Sequence, residues 1–289
     1  MLNLCNNCPR CCKIDRSLQK GFCGAGSQLM VARACLHFGE EPCISGVKGS
    51  GTIFFSGCSL KCVYCQNCDI SHKQYGRIIS EDRFIEIIKE LEGKGANNIN
   101  LVTPTHYFSN IESALNRYRP SIPIVYNSSG YESIENINKN LFDIYLFDLK
   151  FFSKEKSLKY AGCRDYFEVA SNVIKTALNL VGRPVFDENG IMKRGVVVRH
   201  LILPSSTNDS IEIIKWLNNN TPDIVFSLMS QYVPMYKASE HKEINRRITK
   251  REYNKVLEEC YKCDFVETYT QELSSSTKDE IPKFDLTGV

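Results

Sequence analysis

Three cysteines, Cys58, Cys62 and Cys65, stand in the run Gly57-Cys58-Ser59-Leu60-Lys61-Cys62-Val63-Tyr64-Cys65-Gln66-Asn67. Thiolates at this C-x3-C-x2-C spacing can take three corners of one [4Fe-4S] cube, because a short loop can wrap a cluster corner by corner. The fourth iron then has no protein ligand. Such an iron can bind and activate a small molecule, whereas a fully ligated cluster mainly passes electrons, so the spacing argues for chemistry. A structural zinc site prefers four ligands, and Cys68 follows Cys65 at a C-x2-C spacing that could close one. The bacterial ferredoxin order, C-x2-C-x2-C-x3-C, differs from the order here. The specific spacing outranks the count, and Cys68 is read as a non-ligand.

The residues around the triplet, with aromatic Tyr64 just before the third Cys, resemble the radical S-adenosylmethionine (SAM) enzymes. The stretch from Glu40 to Ser71, including Gly49-Ser50-Gly51-Thr52-Ile53-Phe54-Phe55-Ser56 and Gln66-Asn67, is similar to the pyruvate formate-lyase activating enzyme-like branch. The resemblance extends over most of the chain. It implies that SAM chelates the open iron through its amino and carboxylate groups. The reduced cluster then cleaves SAM to methionine and a 5′-deoxyadenosyl radical, which takes a hydrogen atom from the substrate.

With 289 residues, 43% of them hydrophobic, the chain can bury a substantial core. Fourteen cysteines would suit a disulfide framework in a secreted protein. The start Met1-Leu2-Asn3-Leu4-Cys5 has no charged region followed by an apolar stretch and a cleavage site, so a reducing cytoplasm is expected and clustered Cys read as metal ligands. No apolar run approaches the roughly 18 residues of a membrane span; the most apolar, Ile144 to Phe152, is interrupted by Asp148 and Lys150. A formal charge of +3 is too small to imply a nucleic-acid partner, and Arg246-Arg247 and Lys250-Arg251 sit with Glu243 and Glu252 as on a solvated helix face.

Residues 1–45 read as a Cys-rich metal-binding module without helical or strand period. Its ligand candidates are Cys5, Cys8, Cys12 and Cys23, with Cys11 an extra thiol, and they suit either an all-thiolate zinc or an auxiliary Fe-S cluster. Cys35 and Cys43 are read as packing residues. Residues 46–272 alternate apolar strands, at 52–56, 98–103, 124–128, 144–150, 195–203, 224–231 and 265–269, with helices at 80–92, 110–117, 133–138, 166–181, 209–219 and 249–261. Thr249 precedes Glu252 at capping-box spacing, and Ser80 precedes Glu81-Asp82. Strands separated by helices imply right-handed parallel crossovers, hence an α/β fold built as a partial parallel (β/α)6-type barrel. Residues 273–289 read as a C-terminal tail whose Phe284 and Leu286 pack back on the barrel.

Active sites of parallel α/β barrels lie at the C-terminal strand ends. Asp148 and Lys150 end one strand on a common face, and a buried Lys needs an anionic partner, either Asp148 or a ligand carboxylate. The resemblance gives the Asp-Leu-Lys lysine to the methionyl carboxylate of SAM, and gives His200 to SAM binding; Arg199 and His200 face opposite ways, and His200 is chosen as the inward one. Asn127 aligns with an Asp that touches the methionyl amine in related enzymes, and an amide oxygen can still accept there. In place of Gly-Gly-Glu the chain has Thr103-Pro104-Thr105-His106, whose carbonyls near Thr103 and Thr105 could meet the SAM amine. Gln231 at a late strand end faces SAM ribose or substrate, and Met229 fills core. The Cys260-x2-Cys263 pair has no partner pair nearby and carries no metal role.

The expected activity is thus that of a radical SAM oxidoreductase with a [4Fe-4S] cluster and SAM as cofactors, reduced by a flavodoxin or ferredoxin. Resemblance points to a glycyl residue of a partner glycyl radical enzyme as substrate. Another peptide or a small metabolite is the second option. A non-catalytic iron-sulfur carrier or metal sensor is the alternative of another class, and it leaves the polar strand ends without a purpose.

Overall fold

The computed structural model describes residues 4–137, 141–273 and 282–289. Their strands are β1 (Leu29–His37), β2 (Ser50–Phe55), β3 (Arg77–Ile79), β4 (Ile99–Val102), β5 (Ile124–Ser128), β6 (Ile144–Asp148), β7 (Val185–Phe186), β8 (Met192–Leu201), β9 (Val225–Met229) and β10 (Glu267–Thr270). The sheet order is β10-β9-β8-β6-β5-β4-β2-β1-β3, with β7 beside β8. From β2 to β10 along this order every neighbour is parallel. These seven strands are the seven that the apolar runs predict. Parallel neighbours need long crossovers, supplied by helices such as Glu81–Gly93, Phe108–Arg117, Tyr166–Val181, Thr207–Asn220 and Lys250–Cys260.

Both faces of the sheet are covered, which is why its strands read as continuous apolar runs. Tyr126, Tyr145, Phe147, Val198 and Phe226 pack outward against helix residues including Ile111, Val173 and Ile213. On the inner face Val125, Ile144, Leu146, Val197 and Val225 meet Cys43 and Ile44. The short helix Pro42–Ser45 therefore plugs the end of the lumen where the strands begin, leaving the strand C-termini as the open mouth. Ser80 Oγ accepts from Arg83 N–H, and Thr249 with Glu252 forms the full capping box, so both helix starts fall where the sequence places them.

Besides the short strands β3 and β7 and the one-turn helices Pro42–Ser45 and Cys68–Ser71, two longer elements depart from the sequence reading. Leu29–His37, within the stretch read as lacking strand period, is a strand antiparallel to both β2 and β3. A register shift between Val31 and Arg33 breaks its alternation, which is what hid it. Helix Lys154–Ala161, capped by Ser153 and ended by Gly162 in the left-handed region at φ 64°, buries only Ser157, Tyr160 and Ala161, too narrow a stripe to read. At the C-terminus, Ala34 N–H donates to Thr287 O at 2.8 Å and Phe284 meets Phe54 edge-on at 5.6 Å, so residues 282–289 lie along β1. The predicted polar connection at Ser274–Lys278, together with Ile281 and the helix end at Asn138, lies outside the described residues. Among the described residues no helix is long and apolar enough to cross a membrane.

Candidate active site

Directly after β2 the chain turns through Gly57 at φ 95°, where a Cβ would come within 2.9 Å of both Cys23 O and His106 Nε2. The cysteine loop that follows is pinned by backbone bonds from Lys61 N–H to Ala161 O (3.1 Å), Val63 N–H to Tyr160 O (2.8 Å) and Lys237 N–H to Val63 O (2.8 Å). Tyr64 is buried edge-on to Phe151 and Tyr232, which holds the loop on the barrel. Burial raises the Cys58, Cys62 and Cys65 thiols above their ordinary value, Cys58 to about 11. The three act electrostatically on one another, and Lys150 acts on all three. Cys68, the first residue of helix Cys68–Ser71, acts on Cys65.

These donors fit a cluster. Leu60 N–H donates to Cys58 Sγ at 3.4 Å and Ser71 Oγ lies 3.1 Å from Cys65 Sγ, contacts that favour thiolates. The thiols give up their protons when the metal binds.

A buried polar network fills the lumen beside the loop. Arg199 donates from Nε to Asp148 Oδ1, from Nη1 to Glu40 Oε2 (both 2.8 Å) and from Nη2 to Asn127 Oδ1 (2.9 Å). Glu40 Oε1 accepts from Asn100 (3.0 Å) and Asn127 (3.3 Å). Lys150 Nζ donates to Asp148 Oδ2 at 2.7 Å. Burial alone would raise Asp148, but Arg199 and Lys150 outweigh it and hold the carboxyl down at about 2. Burial would likewise lower Lys150; Asp148 and Cys62 reverse the sign and raise it. Glu41 has no such saturation, and burial pushes its carboxyl up despite Arg199 at 4.0 Å. The Tyr166 hydroxyl donates to Asp148 O (2.6 Å) and accepts from Lys150 N–H (3.0 Å), fixing this strand end.

The structure brings the cluster cysteines, Lys150 and Asn127 to one mouth and divides the other expected residues. His200 turns away from the lumen: its Nδ1–H donates to Leu149 O (2.7 Å) and its Nε2 accepts from Ser210 Oγ (2.8 Å) behind the sheet. Arg199, paired with Asp148 in the register of β6 and β8, is the inward residue. The choice of His200 over Arg199 is thereby reversed, because Val196-Val197-Val198 is apolar on both faces and gives no phase. Asn127 spends both amide atoms on Glu40 and Arg199. Thr103 adopts φ 61°, a left-handed backbone unfavourable for a β-branched residue, and such strain concentrates at sites. Thr105 Oγ1 donates to Glu132 Oε1 (2.7 Å), away from the mouth, and His106 Nε2–H donates to Ser56 O (2.8 Å), bracing the cluster loop. Gln231 Oε1 accepts from Gln271 at 3.3 Å. Sequence reasoning missed Glu40, Glu41, Asn100 and Glu132, which carry no spacing signal.

A sequence model of the Radical SAM superfamily matches residues 52–217. The uncharacterized protein MJ0674 of Methanocaldococcus jannaschii is 33% identical over 276 residues, 91% of this chain and 76% of that protein. Streptococcus suis SuiB bound to S-adenosylmethionine aligns with TM-score 0.52 at 13% identity, covering 77% of this chain and 50% of SuiB. SuiB bound to its precursor peptide SuiA gives 0.51 at 14%, covering 76% and 48%. The FeFe-hydrogenase maturase HydG of Carboxydothermus hydrogenoformans gives 0.50 at 13%, covering 80% and 56%. The chain thus spans about half the length of these solved structures, which share its fold. With a family match over the strands and helices that carry the cysteine loop, and a relative matched over 91% of this chain, the chain belongs to the radical SAM superfamily.

Proposed function

We propose that this chain cleaves SAM at a [4Fe-4S] cluster held by Cys58, Cys62 and Cys65, and that it takes a hydrogen atom from a peptide or protein substrate, in the first instance a glycyl residue of a partner enzyme. One observation carries the reading: Lys150, a partly buried cation bonded to Asp148 at 2.7 Å, stands at the strand end whose next residue, Phe151, meets Tyr64 of the cysteine loop edge-on at 6.3 Å. When bound, the cluster and SAM supply reductive formation of the 5′-deoxyadenosyl radical. The protein's own work is positional. Among the described residues Lys150 has one hydrogen-bonded side-chain partner, Asp148, and an ammonium has three donors, so it can also receive the SAM carboxylate. The carbonyl of Thr103, at its left-handed φ of 61°, would accept from the SAM amine. Arg199, Glu40 and Asn127 hold Asp148 so that Lys150 stays aimed at the mouth.

Two features support a macromolecular substrate. The Arg199 network lies between the strands and Pro42–Ser45 packs against their starts, so the reacting C–H would be presented at the mouth, as a peptide segment can do. SuiB, with the same fold, is described with a precursor peptide bound. A flavodoxin or ferredoxin in the cytoplasm would be the reductant. Anaerobic reduction with SAM and a coexpressed glycyl radical enzyme should yield 5′-deoxyadenosine and a glycyl radical signal. Deoxyadenosine without that signal for any candidate partner moves the substrate to another peptide or a small metabolite.

A further inference from the structure

Ser71, buried at the end of the helix Cys68–Ser71, sets its Oγ 3.1 Å from Cys65 Sγ and 2.8 Å from His72 Nδ1. The three side chains form a line from thiol to hydroxyl to imidazole. Once Cys65 is ligated, chemistry fixes the direction of both bonds, because a thiolate sulfur has no proton and can only accept. Ser71 therefore donates its one O–H to Cys65, and His72 Nδ1–H must donate to the Ser71 oxygen. Burial, with Lys61 and Lys237 nearby, lowers His72 to about 4, so at neutral pH the ring is uncharged and has a single N–H to give. Its other nitrogen, Nε2, is buried with no partner among the described residues, as suits a ring whose N–H is already spent.

Both residues are held in place from outside the line. Gly57 N–H donates to Ile70 O and Ser71 N–H to Asn67 O, each at 2.9 Å, which ties the helix to the end of β2 and to the residues just after Cys65. The His72 ring meets Tyr236 at 4.7 Å, tilted by 52°. Tyr236 takes φ 53°, a left-handed backbone that a bulky residue keeps only where its surroundings over-determine it. Its neighbour supplies part of that hold: Lys237 N–H donates to Val63 O, between the second and third cluster cysteines, at 2.8 Å. The strained turn thus sets an aromatic ring against the imidazole and is bonded to the cysteine loop. A serine hydroxyl alone turns freely, whereas one whose oxygen is occupied by His72 keeps its hydrogen on sulfur.

We propose that Ser71 and His72 set the reduction potential of the cluster at Cys58, Cys62 and Cys65: Ser71 donates to the Cys65 sulfur, His72 locks that hydroxyl, and the pair makes the cluster easier to reduce. The role rests on those three cysteines holding the cluster. Hydrogen bonds to cluster sulfurs are one of the levers on potential, because an added electron makes the sulfurs more negative and an O–H aimed at one stabilises the reduced form more than the oxidised. One electron enters from a donor of the flavodoxin or ferredoxin class. Ser71 and His72 keep their protons, and no bond forms or breaks. Ser71 touches the ligand; His72 is a positioning residue that acts through it.

The test is a redox titration of the full chain, reconstituted anaerobically and followed by low-temperature EPR without SAM, with iron and sulfide assayed in each protein. Ser71→Ala is expected to keep the wild-type iron and to show a ratio of reduced to oxidised cluster about tenfold lower at a given potential, a midpoint about 59 mV lower for a one-electron couple. Ser71→Thr, which keeps the hydroxyl, returns the midpoint to the wild-type value. His72→Phe, which keeps a ring against Tyr236, shifts the midpoint the same way by less, and adds nothing to Ser71→Ala in the double variant. A wild-type midpoint in Ser71→Ala with full iron, a Ser71→Thr midpoint as low as that of Ser71→Ala, or an equal His72→Phe shift with and without the Ser71 hydroxyl would overturn the proposal. Should Ser71→Ala fail to assemble the cluster, an unmoved midpoint in His72→Phe overturns it. A cluster that shows the expected midpoints but never cleaves SAM would sink the SAM-cleaving activity and leave the hydrogen-bonded pair standing. A wild type that assembles no cluster at the three cysteines would sink both.

Discussion

Asp148 and Arg199 occupy paired positions on neighbouring parallel strands, and Arg199 Nε donates to Asp148 Oδ1 at 2.8 Å. The guanidinium also holds Glu40 and Asn127, so one buried cation compensates two carboxylates. Removing one member of a buried ionic set costs about 3–5 kcal/mol, because the charges left behind stay buried and unpaired. Arg199→Ala should lose stability of that order in urea unfolding. Arg199→Lys should recover only part, since an ammonium cannot reproduce the fork that reaches three partners. A loss under about 1 kcal/mol would mean the network is not formed.

Lys150→Met should leave iron content at the Cys58 site intact while weakening SAM. A hydrogen bond to a charged group contributes about 1.5–3 kcal/mol, or on the order of tenfold to hundredfold in Kd. Equilibrium binding to the reconstituted protein measures it. Unchanged affinity would remove Lys150 from the site.

His200→Ala tests the reversed assignment. Both ring nitrogens are bonded behind the sheet, so the variant should lose about 1–3 kcal/mol of stability by stranding Leu149 O and Ser210. SAM affinity should not change. A variant of normal stability that fails to bind SAM would return His200 to the mouth.

Glu132 predicts a pH dependence. It is buried, accepts from Thr105 (2.7 Å) and Tyr126 (2.7 Å), and burial raises its carboxyl from 4.5 to about 7. A raised acid is more protonated folded than unfolded, so its contribution is intact below pH 4.5 and is lost as pH rises to about 7. The loss amounts to roughly 3 kcal/mol. Glu132→Gln should flatten this fall in unfolding experiments run from pH 5 to 8, compared with wild type. Parallel pH profiles would exclude Glu132 as its source.

The strands and the cysteine loop were legible because both are local signals: unbroken apolar runs, capping residues and a fixed thiol spacing. What stayed hidden depends on phase or on distance along the chain. A bulge between Val31 and Arg33 erased the alternation of β1. The three valines before Arg199 could not say which of Arg199 and His200 faces inward, whereas the pairing of Asp148 with Arg199 decides it. Glu40 meets Asn100, Asn127 and Arg199 only because a short plug carries it into the lumen, a contact between distant segments with no motif of its own.

The central claim is a cluster corner that the protein leaves for SAM. It is tested most directly by measuring 5′-deoxyadenosine after dithionite reduction of anaerobically reconstituted protein with SAM, in wild type, in Cys58→Ala, Cys62→Ala and Cys65→Ala, and in Cys68→Ala. Product from wild type and Cys68→Ala, and none from the other three, is the predicted result. A reduced, fully assembled cluster that yields no 5′-deoxyadenosine until Cys68 is removed would contradict it.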